Sequence, residues 1–230
     1  MVRHLTILIT TLIACVGFSF TVQASPRLFT ATYDVYEDDA VKAKLTSTLK
    51  PIGKNQYQLT DTTEGTAGLA SLLNFKRTEQ TDFTHHMNST EVIQHTMRQK
   101  VAFKNKLYKF SHQPGGTHYQ GIDHNEPFEL NSHQPLLSNQ LMSWQLTQQV
   151  CHNPKDRMQW SVLNSNQAKQ YSFIIIAVDN NRTLVHRQYQ NRPDKRTAIW
   201  INTHECYIEE IIYQKDDKVV RTVIKDIVFD

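Results

Sequence analysis

The chain has 230 residues, 39% hydrophobic and 20% charged, which is enough apolar material for one core and too much for a disordered polymer. Its length suits a single β sandwich or barrel, which run undivided to roughly 200 to 250 residues. The net charge is +3, or +2 without Arg3, and no run of lysine or arginine supplies the electrostatic footprint that nucleic-acid binding needs.

Residues 1–24 read as a cleaved secretory signal peptide: a basic start at Arg3, an apolar run from Leu5 to Phe20, and Val22-Gln23-Ala24 ahead of Ser25. The apolar run is shorter than the roughly 20 residues that span a bilayer, so the mature chain, residues 25–230, is expected to have no transmembrane span and to be one β-rich domain of the periplasm. A rival cleavage at Leu12-Ile13-Ala14-Cys15 resembles a lipobox and would make the product an outer-membrane lipoprotein acylated on Cys15. Against it, the apolar run continues through Val16-Gly17-Phe18 where a lipoprotein turns polar.

From Leu28 onward the pattern has period two. Phe29, Ala31, Tyr33 and Val35 share one face of a strand, and after an acidic turn at Glu37-Asp38-Asp39 a second strand carries Val41, Ala43, Leu45 and Leu49. Tyr57 and Leu59 open a third. The small residues and bunched leucines from Gly65 to Leu73 predict a short helix or an apolar loop. Alternation resumes near Phe75, and Val92–Arg98 with Val101–Phe110 predict a hairpin. Gly, His, Asn and Pro crowd the stretch from Pro114 to Pro135, which predicts an exposed excursion.

Residues 137–150 predict the main helix, with Leu137, Leu141, Trp144 and Gln148 on one stripe and Ser138 as N-cap. Strands follow at Met158–Leu163, Gln170–Ala177, Thr183–Tyr189, Arg196–Asn202 and Tyr207–Gln214, and Val219–Phe229 closes the sheet after the Lys215–Lys218 turn. Hairpins between neighbours make the sheet antiparallel. The fold class is therefore mainly β (α+β): one strongly curved antiparallel sheet, or an open β half-barrel, packed with one main helix.

Cys151 and Cys206 are the only pair left after the leader, and in an oxidising compartment they read as a disulfide worth roughly 4 kcal/mol by the chain-entropy argument. The alternatives are two buried thiols or a redox site; the chain has no CxxC to favour the latter.

The segments PFELNSHQPLLSNQLMSWQL, KQYSFIIIAV and KRTAIWINTHECYIEEIIYQKDD, in that order behind a YDVY strand, resemble the bacterial envelope family catalogued as domain of unknown function 3108. The most specific element is the strand bearing Arg196, Thr197 and Trp200, followed by a strand that begins at Tyr207. Relatives often place a proline after that tyrosine, where this chain has Ile208. The resemblance implies a secreted β-rich fold and lends no catalytic residues. Likeness to the half-barrels of periplasmic lipoprotein carriers is an analogy of fold, which does not fix function.

Metal chemistry would have to come from His85, His86, His95, His112, His118, Asp123, His124, Glu126 and His133, but His85 and His86 point to opposite faces of a strand and no HxH or HExxH spacing occurs, so no metal site and no cofactor are assigned. There is no GxSxG and no SxxK, and the carboxylate pairs Asp38-Asp39, Glu209-Glu210 and Asp216-Asp217 fall on turns or on opposite strand faces. No catalytic residue is assigned. Aromatic residues along the strands build the core, and those on a concave face could hold an acyl chain or stack on a sugar; Tyr33, Tyr57, Trp144 and Trp200 are the candidate ligand-binding residues. Two roles follow: a non-enzymatic periplasmic binding or carrier module for an apolar ligand such as a lipid, or for a glycan, or a structural or assembly scaffold that interacts with envelope protein partners.

Overall fold

The computed structural model describes residues 25–86 and 89–230; the segment 1–24 expected to be a signal peptide, with Cys15, lies outside them. Period-two stretches become β1 (Phe29–Glu37), β2 (Ala40–Gly53) and β3 (Gln56–Gly65), and a five-residue α1 (Gly68–Leu72) leads into β4 (Lys76–His86), β5 (Ser89–Val101) and β6 (Lys104–His112). Several turns are tight because their residues adopt left-handed backbone, Asp38 and Asp39 together at φ 51° and 59°, which matches the right-handed strand twist.

The Pro114–Pro135 stretch is not an excursion. It folds as β7 (His118–Asp123) and β8 (Glu126–Asn131), joined at His124 and Asn125, both with positive φ. Its turn-forming residues have specific places in the sheet. Phe128 lies over Gly121, where an added Cβ would sit 2.6 Å from the ring, and Pro127 occupies the edge strand, where the missing N–H costs no ladder bond. Tyr119 is buried and stacked on His112 at 4.2 Å.

After α2 (Asn139–His152) come β9 (Arg157–Asn164), β10 (Gln167–Asp179), β11 (Arg182–Gln188), β12 (Lys195–Asn202), β13 (Tyr207–Lys215) and β14 (Lys218–Phe229). The helix starts two residues later than the apolar stripe predicts. Ser138 caps it, its Oγ accepting from Leu141 N–H at 3.1 Å, while Leu137 stays extended and bridges Val162.

Among the described residues, the fourteen strands form one antiparallel sheet in the order β8-β7-β6-β5-β4-β3-β2-β1-β14-β13-β12-β11-β10-β9, so two meanders meet where β1 pairs with β14. Register shifts interrupt six of the ladders, and each such bulge sharpens the local bend and twist. The curvature is nearly complete. β6 and β9 stand eleven strand steps apart, about 50 Å if the sheet were flat, yet Tyr108 Oη donates to Leu163 O at 3.2 Å. The extended residues before α2 bridge the seam: Leu136 N–H donates to Tyr119 Oη on β7, and Leu137 pairs with β9.

The helix lies inside this curl, so apolar residues on more than one side of it are buried, among them Leu141, Met142, Trp144, Leu146 and Val150. They pack with Leu49, Leu59, Phe83, Phe110, Val162, Phe173 and Ile201 into one core. Its last turn is fastened to the β12–β13 turn by the Cys151–Cys206 disulfide, with Cα atoms 5.8 Å apart. No described helix is long and apolar enough to cross a membrane.

Candidate functional site

Strand parity decides what the concave face offers. On β3, Tyr57, Leu59 and Asp61 point the same way, so the alternation that sends two apolar residues into the core also sends a carboxylate there. Beside it on β1 and β2 stand Tyr33, Leu45 and Ser47, and across from them Gln140, Ser143, Trp144 and Thr147 of α2. These side chains, closed at one end by Tyr207, Ile208 and Ile211, surround a cavity of about 130 Å³ between the helix and the sheet.

The polar groups of this slot are held under strain of charge. Asp61 faces Glu79 directly across the β3–β4 ladder, a like-charge pairing that is unfavourable at neutral pH. Burial first, then Glu79, push the Asp61 carboxyl up to about 6, against the opposing help of Ser47, Gln140 and Arg77. Arg77 answers Glu79 at 2.5 Å and only partly relieves Asp61. Burial, with Asp61 and Tyr207 behind it, raises Tyr33 so far that its hydroxyl stays protonated. Three buried side-chain atoms in this neighbourhood have no partner at hydrogen-bonding geometry among the described residues: the acceptor Asp61 Oδ1 and the donors Gln140 Nε2 and Arg77 Nε, so Gln140 favours the Asp61 carboxylate from nearby without a formed hydrogen bond.

Gln140 is oriented from behind by a sealed polar cluster. Thr81 Oγ1 donates to Gln140 Oε1 at 2.9 Å, and so accepts from His95 Nδ1 at 2.8 Å and from Ser138 Oγ at 2.9 Å. The Thr81 hydroxyl and the Ser138 hydroxyl each both donate and accept there, since Ser138 Oγ also accepts from Leu141 N–H. Burial, then Arg77, lower His95 to about 4, so the imidazole is neutral. A hydroxyl beside an imidazole has the composition of a nucleophile and its base, but Thr81, His95 and Ser138 are all buried. The cluster positions the start of α2 on β4 and β5.

Of the four sequence candidates, Tyr33 and Trp144 line the slot. Tyr57 lies deeper, its ring 5.8 Å from that of Phe83, which in turn packs 5.3 Å from Trp144. Trp200 stands on the other face: Ile199 and Ile201 beside it are buried, and the Arg182 guanidinium covers its ring at 4.7 Å. Sequence reasoning did not single out Asp61 or Gln140. The parity of Asp61 with Leu59 was a readable signal; no local pattern announces which helix side chain meets it.

The histidine-rich set is dispersed. His85 and His86 end β4, His95 and His112 are buried on β5 and β6, and His124 pairs with Asp123 at 2.8 Å in the β7–β8 turn. No group of three metal-ligating side chains gathers among the described residues. A second hollow, about 550 Å³, opens along the seam outside α2. It is lined by Trp160 with Gln134, Gln145, Gln149, Gln159 and Gln170, and no charged residue borders it.

No family model matches the chain, and no curated protein matches it. Among solved structures, the chain is similar to the crystal structure of a β-barrel-like protein of domain of unknown function DUF1849 from Brucella abortus. The TM-score is 0.56 at 10% identity, over 89% of this chain and 98% of that one. At that identity the likeness is one of fold, an open barrel-like β sheet, in a protein whose own function is unassigned.

Proposed function

We propose that the chain is a non-enzymatic binding module of the bacterial periplasm, related to domain of unknown function 3108, and that its ligand enters the slot beside α2 with an apolar group bearing a small hydrogen-bonding head. The observation that carries this is the pair of unpartnered atoms, Asp61 Oδ1 and Gln140 Nε2, on a cavity whose other lining joins aromatic and aliphatic side chains to the hydroxyls of Ser47, Ser143 and Thr147. An acceptor next to a donor fits an amide, a hydroxyl or a protonated carboxyl. Size restricts the rest. A cavity of about 150 Å³ holds a benzene molecule, so a slot of about 130 Å³ takes one ring or a short alkyl segment, not a whole acyl chain. The disulfide and the leader anatomy support the envelope as its compartment.

Titrating the protein with short-chain fatty acids, their amides and indole while following Trp144 fluorescence tests the reading. Saturable changes that vanish in Leu45→Phe, which fills the slot, are the expected result. No response to any of these probes, together with a ligand-free native mass spectrum of protein isolated from the periplasm, would defeat it in favour of the scaffold role. A glycan remains a second reading because the amide-lined seam groove is neutral, 550 Å³ in size and bordered by Trp160; glycan-array binding abolished by Trp160→Ala would establish it.

A further inference from the structure

The loop between β3 and β4 and the β5–β6 turn meet at one end of the curled sheet, and their apolar side chains point into water. Leu69 and Leu72 are 73% and 76% exposed, Leu73 is exposed, and Phe103 is completely so; α1 has no buried residue. Isolated exposed hydrophobics need no explanation, but four on two touching loops do. The exposure does not come from a loose loop. Thr66 N–H and Ala67 N–H donate to Lys42 O, Gly65 N–H donates to Phe75 O, and Ala102 N–H donates to Leu73 O at 2.6 Å, which ties the two loops together. Gly65 permits the fold-back, since a Cβ there would lie 2.5 Å from the Ala70 carbonyl. The main chain therefore holds these side chains outward.

The charge around them is uneven. Lys42 approaches the start of α1, Lys76 and Lys100 face each other across β4 and β5, and Lys104 and Lys106 follow Phe103; Glu64 answers Lys76 at 2.6 Å. The nearest other carboxylates of this end, Glu37 to Asp39 and Asp123 with Glu126, sit on the turns to either side, and Asp194, Asp216 and Asp217 lie on turns further round the rim. A few leucines and a phenylalanine ringed by lysines have the chemistry of an interfacial anchor: the rings and alkyl groups enter the boundary between headgroups and acyl chains, and the ammonium groups meet lipid phosphates.

We propose that this end of the molecule docks on an anionic lipid bilayer through Leu69, Leu72, Leu73 and Phe103, with Lys100 and Lys104 at the phosphate level. The proposal is independent of whether the slot is occupied.

The test is co-sedimentation of protein purified from cells expressing the full chain. The lipids are phosphatidylethanolamine vesicles containing phosphatidylglycerol, with phosphatidylcholine vesicles alongside. Binding to the anionic vesicles that weakens with salt is expected, at least about tenfold weaker in Leu69→Ser/Leu72→Ser/Phe103→Ser and preferentially weakened on anionic lipid in Lys100→Glu/Lys104→Glu. These sites are exposed, so circular dichroism should show both variants folded. No sedimentation of the parent, sedimentation unchanged in the triple variant, or equal binding to both lipids would overturn the proposal. So would size-exclusion profiles in which the parent is a dimer that the triple substitution dissociates without any lipid binding, since the patch would then belong to a second copy.

Discussion

Replacing Asp61 by asparagine should stabilise the protein at neutral pH and leave it almost unchanged in mild acid. The folded structure raises the carboxyl from 3.8 to about 6. Between those values the folded chain keeps a proton that the unfolded chain releases, so the contribution to stability is full below about pH 4 and falls as pH rises through 6. Roughly two pH units at 1.36 kcal/mol each is an upper bound of about 3 kcal/mol lost by pH 7.5. Asparagine keeps the shape and ends the repulsion from Glu79, so Asp61→Asn should recover about 1–3 kcal/mol there. For a domain of this size that is a rise in Tm of about 3–10 °C. Thermal unfolding of both proteins at pH 3.5 and 7.5 measures it. An offset of the same size at both pH values, or a loss of stability at pH 7.5, would refute the argument that Asp61 is held against its charge by burial and by Glu79.

Other perturbations have separate causes. Reducing Cys151–Cys206, which closes a loop of 55 residues in sequence separation, should cost up to about 4 kcal/mol in denaturant unfolding; full alkylation of both thiols without reductant would show that no bond forms. Ser138→Ala removes the cap of α2 and one partner of Thr81, for a loss of about 1–2 kcal/mol by the same assay. Gly121→Ala drives a methyl into Phe128 and the Lys109 carbonyl, 2.6 and 2.3 Å away, and should cost about 1–3 kcal/mol and loosen the β7–β8 hairpin, visible as faster amide exchange there. N-terminal sequencing of exported protein should begin at Ser25, and an acylated Cys15 would place it on a membrane instead.

The strands were legible because a period-two pattern reports which face is buried without reference to distant residues. β1, β2 and the strands from Met158 onward fall where alternation puts them, and Ser138 caps the helix because capping is local. Pro114–Pro135 misled because glycine and proline mark turns in general, whereas here Gly121 makes room for Phe128 and Pro127 sits on an edge. The face of Trp200 was readable from its buried neighbours Ile199 and Ile201; an aromatic residue in a strand does not by itself point inward. What no local pattern contained was the meeting of Asp61 with Gln140. It depends on how α2 rolls inside the curl, a result of packing over the whole core.

The ladder between β1 and β14 sets the order in which the molecule can be completed. Each meander zips from neighbouring hairpins, which form fast because their partners are close along the chain. The two halves cannot be joined until Lys218–Phe229 has arrived, since that strand lies between β1 and β13 in the middle of the sheet. Until then both of these strands show bare main-chain groups to any passing neighbour. The last strand is thus a clasp. In its absence, two molecules are matched to capture each other at the gap, and a chain that stalls late meets its danger in association, not in slow folding of either half.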